Sequence, residues 1–348
     1  MITDPDGLAG LVGRLAGAQQ IALDTEADSL HCYFEKLCLI QVSAGDEHLL
    51  VDPLAGLDLQ PLFDVVCSKR LVFHGADYDL RLLRRVGKFD PVDLFDTMIA
   101  ARLTGQPALG LAALVEKFFN VKLSKASQKA NWAIRPLPPQ MSEYALNDTR
   151  YLLEIAATLE ADLHRLGRWE WFEESRDRMI ASTRDLKERD DATVWRISGS
   201  SALSPRAQAV LRVLWFWRDA EARAWDRPPF HVIGNEDMIR VADQVTKGDT
   251  YSTPRMNSRR RKSFEVVLAL ALQIPDNEWP HIERVRRTRT SKDHLTRFEA
   301  LKKKRDEVAT GLGLDPSILA PRAALEAAAI DPQSNLLMNW QKKLMGVE

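Results

Sequence analysis

The sequence predicts an α/β core with a mixed sheet followed by an all-α half. Three observations carry this prediction. Short apolar runs alternate with helical periodicity through the first hundred residues. Composition turns charged and small-polar at about residues 185–200. No strand-like alternation returns beyond that point, so the second half reads as helical throughout.

Ile21–Glu26, Leu37–Ser43 and His48–Asp52 are short apolar runs bounded by turn formers, and they read as three consecutive strands. Leu71–His74 reads as a fourth. In Tyr78–Val86, Leu80, Leu82, Leu83 and Val86 recur at helical spacing, and Gly87 supplies a stop. Leu94–Asp96 is a short fifth strand. Helical patterns follow over 97–104, over 110–119 and over a long stretch from Ser142 to Leu166. Past the boundary, Ser204 and Pro205 offer an N-cap and a first-turn proline for a helix over 206–223. The expected organisation is a core over 1–180, a linker over 181–200, a helical module over 201–285 and a second, diverged one over 291–348.

The chain has 348 residues, 45% hydrophobic and 28% charged, enough to bury more than one core. Its longest apolar run, Val266–Leu272, is far short of the roughly 20 residues a membrane span requires. The acidic first residues lack the pattern of a secretory or mitochondrial address, so the expected location is the cytoplasm. Cys32, Cys38 and Cys67 form no Cys-x-x-Cys pair and read as reduced thiols. The net charge of −1 conceals an asymmetry. Residues 1–200 hold 30 acids and 23 bases, and residues 201–348 hold 19 and 25. The bases concentrate at Arg259–Lys262, Arg284–Arg289 and Lys302–Arg305, where a polyanion would be drawn.

The chemistry lies in acids. Asp24 and Glu26 stand two apart within a strand, so both carboxylates share one face. Like charges there need protons or cations to compensate them. Asp79 opens the helix after the fourth strand, and Tyr144 and Asp148 are neighbours at i and i+4 on the long helix.

In this order and spacing the four acids resemble the exonuclease motifs of the DEDD superfamily: Asp24-x-Glu26, then His74-Gly-Ala-Asp-Tyr-Asp79-Leu80, then Tyr144-x-x-x-Asp148 in the tyrosine version. The stretch Leu123–Leu137, with Lys125, Gln128, Trp132 and Arg135, resembles the segment ahead of the third motif in the ribonuclease D family. Leu203–Arg206, Leu214–Arg218, Asp226–Pro229 and Asn235-Glu236 are similar to HRDC modules, and 303–322 resembles a second, diverged copy. The resemblance covers nearly the whole chain and implies a ribonuclease H-like exonuclease core followed by HRDC bundles.

The resemblance further implies that Asp24, Glu26, Asp79 and Asp148 hold two divalent cations, Mg²⁺ or Mn²⁺. Two such ions would cancel the formal charge of four carboxylates, and all-oxygen donors suit them better than zinc. Tyr144 would orient or help deprotonate the attacking water. Of the two aspartates in the second motif, the family pattern selects Asp79, which precedes leucine, leaving Asp77 to cap the helix. His74, Lys125, Gln128, Trp132 and Arg135 are expected at the substrate rim, with Tyr33 and Phe34 stacking on a terminal nucleotide. The aromatic group Trp215, Phe216, Trp217 and Trp225 reads as core. The implied activity is 3′→5′ removal of nucleoside 5′-monophosphates from RNA 3′ ends, tRNA precursors among them, with no protein partner evident. The same motifs would serve a DNA exonuclease. A binding adaptor with a dead core is the remaining reading, and it should lack an acid or the tyrosine.

Overall fold

The computed structural model describes residues 1–184, 189–252, 255–280 and 292–347. The basic cluster Arg284–Arg289 and part of the expected linker lie outside them. The chain divides into two compact units. One comprises Met1–Ala27, Leu37–Leu186 and Thr288–Glu348; the other comprises Asp28–Lys36 and Lys187–Arg287.

The first unit begins with α1 (Pro5–Leu15), capped by the Asp4 carboxylate accepting from the Gly7 amide at 2.9 Å. It continues through β1 (Gln20–Ala27), β2 (Leu37–Ala44), β3 (Glu47–Val51), α2 (Gln60–Cys67), β4 (Arg70–Phe73), α3 (Asp77–Val86), β5 (Asp93–Asp96), α4 (Thr97–Leu103) and α5 (Leu111–Phe119). The strands form one sheet in the order β3-β2-β1-β4-β5. β2 pairs antiparallel with β1 and β3, while β4 pairs parallel with β1 and β5, so the sheet is mixed as expected. α1 and α2 were not marked by the strand and helix patterns read from the sequence.

Alternation along β1 separates the faces. Ile21 and Leu23 enter a core with Leu11, Phe63, Leu80 and Leu83. Ala22 enters another with Phe95, Leu114, Leu152 and Phe172. Helices therefore cover both faces of the sheet, which its parallel half requires. The expected 142–166 helix is two helices, α6 (Pro139–Arg150) and α7 (Leu152–Arg165), separated at Tyr151 and followed by α8 (Trp169–Arg184). Buried positions recur at helical spacing across Tyr151, from Ala145 and Thr149 to Leu152 and Ile155, so periodicity alone hid the break.

The second unit is helical: α9 (Pro205–Trp225), α10 (Asn235–Lys247) and α11 (Ser258–Ala271) close on a core of Trp195, Leu214, Trp217, Met238 and Phe264. Ser204 caps α9 as expected, accepting from the Ala207 amide. Trp215 and Trp217 are core, but Trp225 is 48% exposed beneath the Arg260 guanidinium, 4.4 Å from its ring centre. Residues 292–347 hold α12 (Lys292–Leu312), α13 (Pro316–Leu319), α14 (Arg322–Ile330) and α15 (Asn339–Met345). This stretch, expected to be a second module, groups with the first unit. Glu174 of α8 accepts from the Asn339 and Trp340 amides, and Trp340 stacks on Trp171 at 4.9 Å. Among the described residues no helix is long and apolar enough to cross a membrane.

Candidate active site

The end of β1 carries Asp24 and Glu26 on the face that α6 covers. α6 is pinned there by the buried Ser43 hydroxyl, which donates to Thr149 at 2.7 Å. Thr149 follows Asp148, so this bond brings the third carboxylate to the first two. Oxygens of Asp24, Glu26 and Asp148 lie within 4.8 Å of one another. Asp79, buried in the first turn of α3, is held from β1's opposite face by the Thr25 hydroxyl at 2.5 Å. Its turn is fixed in place by Asp96, which accepts from the Gly75 and Ala76 amides and caps α4. Gly75 has φ +82°, and a Cβ there would press on Met98 at 3.0 Å, so a side chain is disfavoured twice.

Burial raises all four carboxyls, and neighbouring acids of the set raise Asp24 and Glu26 further. Burial first, then the charges of Asp79, Asp148 and Glu26, hold Asp24 well above the ordinary carboxylate range. Burial and then Asp148 and Asp79 push Glu26 to about 9. Asp148 rises to about 7 through burial, against the hydrogen bond from Tyr144, and Asp79 rises to about 6 through burial, against the bond from Thr25. Four buried acids that cannot all ionise at neutral pH form a set whose charge cations would compensate. The donors are all carboxylate oxygens, with neither histidine nor cysteine, so the set fits hard ions such as Mg²⁺ or Mn²⁺.

Tyr144 donates to Asp148 one helical turn away, and its phenol is pushed up by burial and by the charge of Asp148. Its ring packs on Trp132 at 5.9 Å between centres. A cleft of about 370 Å³ opens beside Tyr144 and Asp148, walled by Ser124, Ser127, Asn147 and Arg150.

The remaining expected residues divide. Lys125 and Gln128 are exposed on the loop before α6. Trp132 is only 1% exposed, so it supports Tyr144 and offers no face to a base. Arg135 differs most from its expected place at the rim. Its Nε and Nη2 bind Asp52 at 2.6 Å each, and its other N–H groups donate to the carbonyls of Cys38, Trp132 and Ile134. All five donors are engaged within the chain, which makes it the clamp of the 130–137 loop. Arg135→Ala would leave the buried Asp52 charge unpaired, and thermal or urea unfolding should show a loss of about 3 kcal/mol. A loss below about 0.5 kcal/mol, the size of an ordinary surface substitution, would count against the clamp.

His74 donates from Nδ1 to Thr97 at 2.9 Å, and Thr97 donates onward to the Phe73 carbonyl. Burial holds its imidazole below the usual pKa. Asp77 does not cap α3; it accepts from Arg81 four residues on, and Ala76 occupies the cap position. Tyr33 and Phe34 belong to the helical unit. There Tyr33 donates to Asp219 at 2.9 Å, and Phe34 is 52% exposed with Arg223 over its ring. Sequence reasoning passed over Thr25, Ser43, Asp52 and Thr149, each a polar residue inside an apolar or helical pattern, which was the only signal available.

A family model described as a 3′-5′ exonuclease matches residues 1–164. The ribonuclease D of Xanthomonas oryzae pv. oryzae is 31% identical over 332 residues, spanning 91% of this chain and 88% of that protein. The chain belongs to the ribonuclease D family. The ribonuclease D of Bartonella henselae is 30% identical over 254 residues, a stretch that spans 72% of this chain and 62% of that relative. Among solved structures, Escherichia coli RNase D, described as an exoribonuclease involved in structured RNA processing, superposes with a TM-score of 0.75 at 26% identity, covering 99% of this chain and 96% of the other. This ribonuclease D family member therefore carries a 3′-5′ exonuclease domain whose carboxylate cluster and Tyr144 lie within the matched residues.

Proposed function

We propose that the chain is a 3′→5′ exoribonuclease that releases nucleoside 5′-monophosphates from RNA ends with two divalent cations held by Asp24, Glu26, Asp79 and Asp148. The convergence of Asp24, Glu26 and Asp148 within 4.8 Å carries this reading, and the match to a 3′-5′ exonuclease family supports it. Bound in that donor set, divalent cations supply Lewis acidity and lower the pKa of a coordinated water. The chain's own groups do the rest. Thr25 holds Asp79 in its turn, and Ser43 with Thr149 holds Asp148 beside Asp24 and Glu26, so these last three carboxylates face one point without rearrangement.

Tyr144 keeps its proton at neutral pH because burial and Asp148 raise its pKa, so its role is to orient the attacking water through the hydroxyl, not to remove a proton. The cleft beside it seats the terminal nucleotide, with Lys122 and Arg150 supplying positive charge and Lys125 and Gln128 exposed on the adjoining loop. Tyr144→Phe should lower kcat about a hundredfold while Mn²⁺ affinity stays within a factor of about three. Equal losses in metal affinity and rate would place Tyr144 in the metal site instead. Chromatography of the released product distinguishes 5′- from 3′-monophosphates, and a matched DNA strand tests the sugar preference.

The helical unit is read as an HRDC-type module that raises affinity for long RNA. Arg259, Arg261 and Lys262 are exposed in the opening turns of α11, the end where the helix dipole disfavours cations. They are misplaced for helix stability and suited to phosphates. Replacing all three by glutamine should reduce the slope of log affinity against log salt by about 0.7 for each phosphate no longer neutralised, with kcat on short oligonucleotides unchanged. An unchanged slope would remove this role. Precursors of tRNA and other structured RNAs in the cytoplasm are the proposed substrates.

A further inference from the structure

We propose that Gln41 is a positioning residue for the carboxylate cluster: its side-chain amide, buried opposite Asp24, holds a water against the metal-binding oxygens and fixes their orientation. The proposal rests on the reading that these acids bind divalent cations.

Gln41 sits in the middle of β2, whose other residues are apolar or small apart from Ser43. It is 0% exposed, and neither its Oε1 nor its Nε2 finds a partner among the described residues. An amide enclosed without hydrogen bonds destabilises the fold, and a leucine of similar size would not. Stability therefore gives no reason for glutamine at this point. Ser43, two residues along on the same face, is by contrast satisfied by Thr149 and His48. Within β2 the unmatched polarity is confined to Gln41.

The strand register says what the amide faces. Asp24 and Gln41 are direct partners across the antiparallel β1–β2 pair. Directly opposed side chains project from the same face of a sheet, with Cβ atoms about 4.5–5.5 Å apart. Gln41 thus shares the face of Asp24 and Glu26, beneath α6, which contributes Asp148. Among the described residues no carboxylate hydrogen-bonds to the amide, so a direct bond is not the link. A single water fits the chemistry: it accepts from Nε2–H, donates to a carboxylate oxygen and meets the two-to-four-partner requirement of a buried water. A donor chain of that kind favours the ionised, outward-directed carboxylate that a cation binds. Groups placed behind metal ligands in this way typically alter metal affinity about 10–100-fold when removed.

The test uses Mn²⁺ alone, without RNA, titrated into the full-length wild type, Gln41→Leu, Gln41→Met and Asp24→Asn, with free Mn²⁺ read by electron paramagnetic resonance. Circular dichroism and metal-free melting report the fold. The expected result is that both Gln41 variants fold, melt at or above the wild-type temperature without metal and bind Mn²⁺ about 10–100-fold more weakly, with kcat on a short RNA reduced and KM held. Wild-type Mn²⁺ affinity in folded Gln41→Leu or Gln41→Met would overturn the proposal, as would failure of both variants to fold, since the amide would then be structural. A wild type that takes up no Mn²⁺, or takes it up no better than Asp24→Asn, would instead sink the metal reading, whatever Gln41 does.

Discussion

Asp24→Asn is expected to lower kcat on RNA by at least about a thousandfold, a loss of about 4 kcal/mol of transition-state stabilisation. Asp24 lies at the centre of the cluster, and each of the other three carboxyls raises its pKa. The substitution removes a cation ligand that no neighbour replaces, because the other acids are fixed by Thr25, by the strand and by α6. It also removes a carboxyl whose ionisation burial and three neighbouring acids oppose in the metal-free fold. Metal-free Asp24→Asn should therefore melt higher than the metal-free wild type, while the rise in melting temperature on adding Mg²⁺ should shrink. Opposite signs for stability and activity separate loss of chemistry from loss of fold. A variant that is inactive and also less stable without metal would point to a structural role for Asp24.

The second large effect is a dependence of stability on pH that metal reverses. Glu26, Asp148 and Asp79 have pKa values of about 9, 7 and 6 in the folded protein, all above the ordinary carboxylate range of an unfolded chain. Between about pH 4 and 9 the folded state therefore binds more protons than the unfolded state, and the metal-free protein loses stability as pH rises through that window. Each proton difference contributes about 1.4 kcal/mol per pH unit at most. Cations bind the ionised carboxylates of the folded state, so saturating Mg²⁺ stabilises more at high pH than at low pH. Melting curves at about pH 5.5, 7 and 8.5, with EDTA and with Mg²⁺, should diverge with pH, and Glu26→Gln should flatten the EDTA series. A metal-free melting temperature that climbs across that range would contradict the electrostatic account of the site.

Local patterns carried much of this site. The two-residue spacing of Asp24 and Glu26 is enough to put both on one strand face, and the four-residue spacing of Tyr144 and Asp148 is enough to join them on a helix. What local pattern does not hold is the partner at a distance. Arg135 on a polar loop reads as available to substrate, yet its five donors are engaged, two of them by an aspartate 83 residues away. Trp225 follows a run of core tryptophans but lies exposed where α9 ends. Asp77 stands where a cap is expected, and the backbone begins the helix one residue earlier, freeing it for Arg81. In the run Leu37–Ala44, Gln41 has no pattern of its own; only the register with Asp24 gives its position meaning.

A single time course tests the central claim most directly: 3′-labelled and 5′-labelled single-stranded RNA incubated with the full-length protein in Mg²⁺, in Mn²⁺ and in EDTA, beside Asp24→Asn. The account predicts immediate release of labelled mononucleotide from the 3′-labelled strand, stepwise shortening of the 5′-labelled strand, no reaction in EDTA and none with the variant. Mononucleotide released first from the 5′-labelled strand, internal cleavage, or undiminished activity in EDTA or in Asp24→Asn would contradict it.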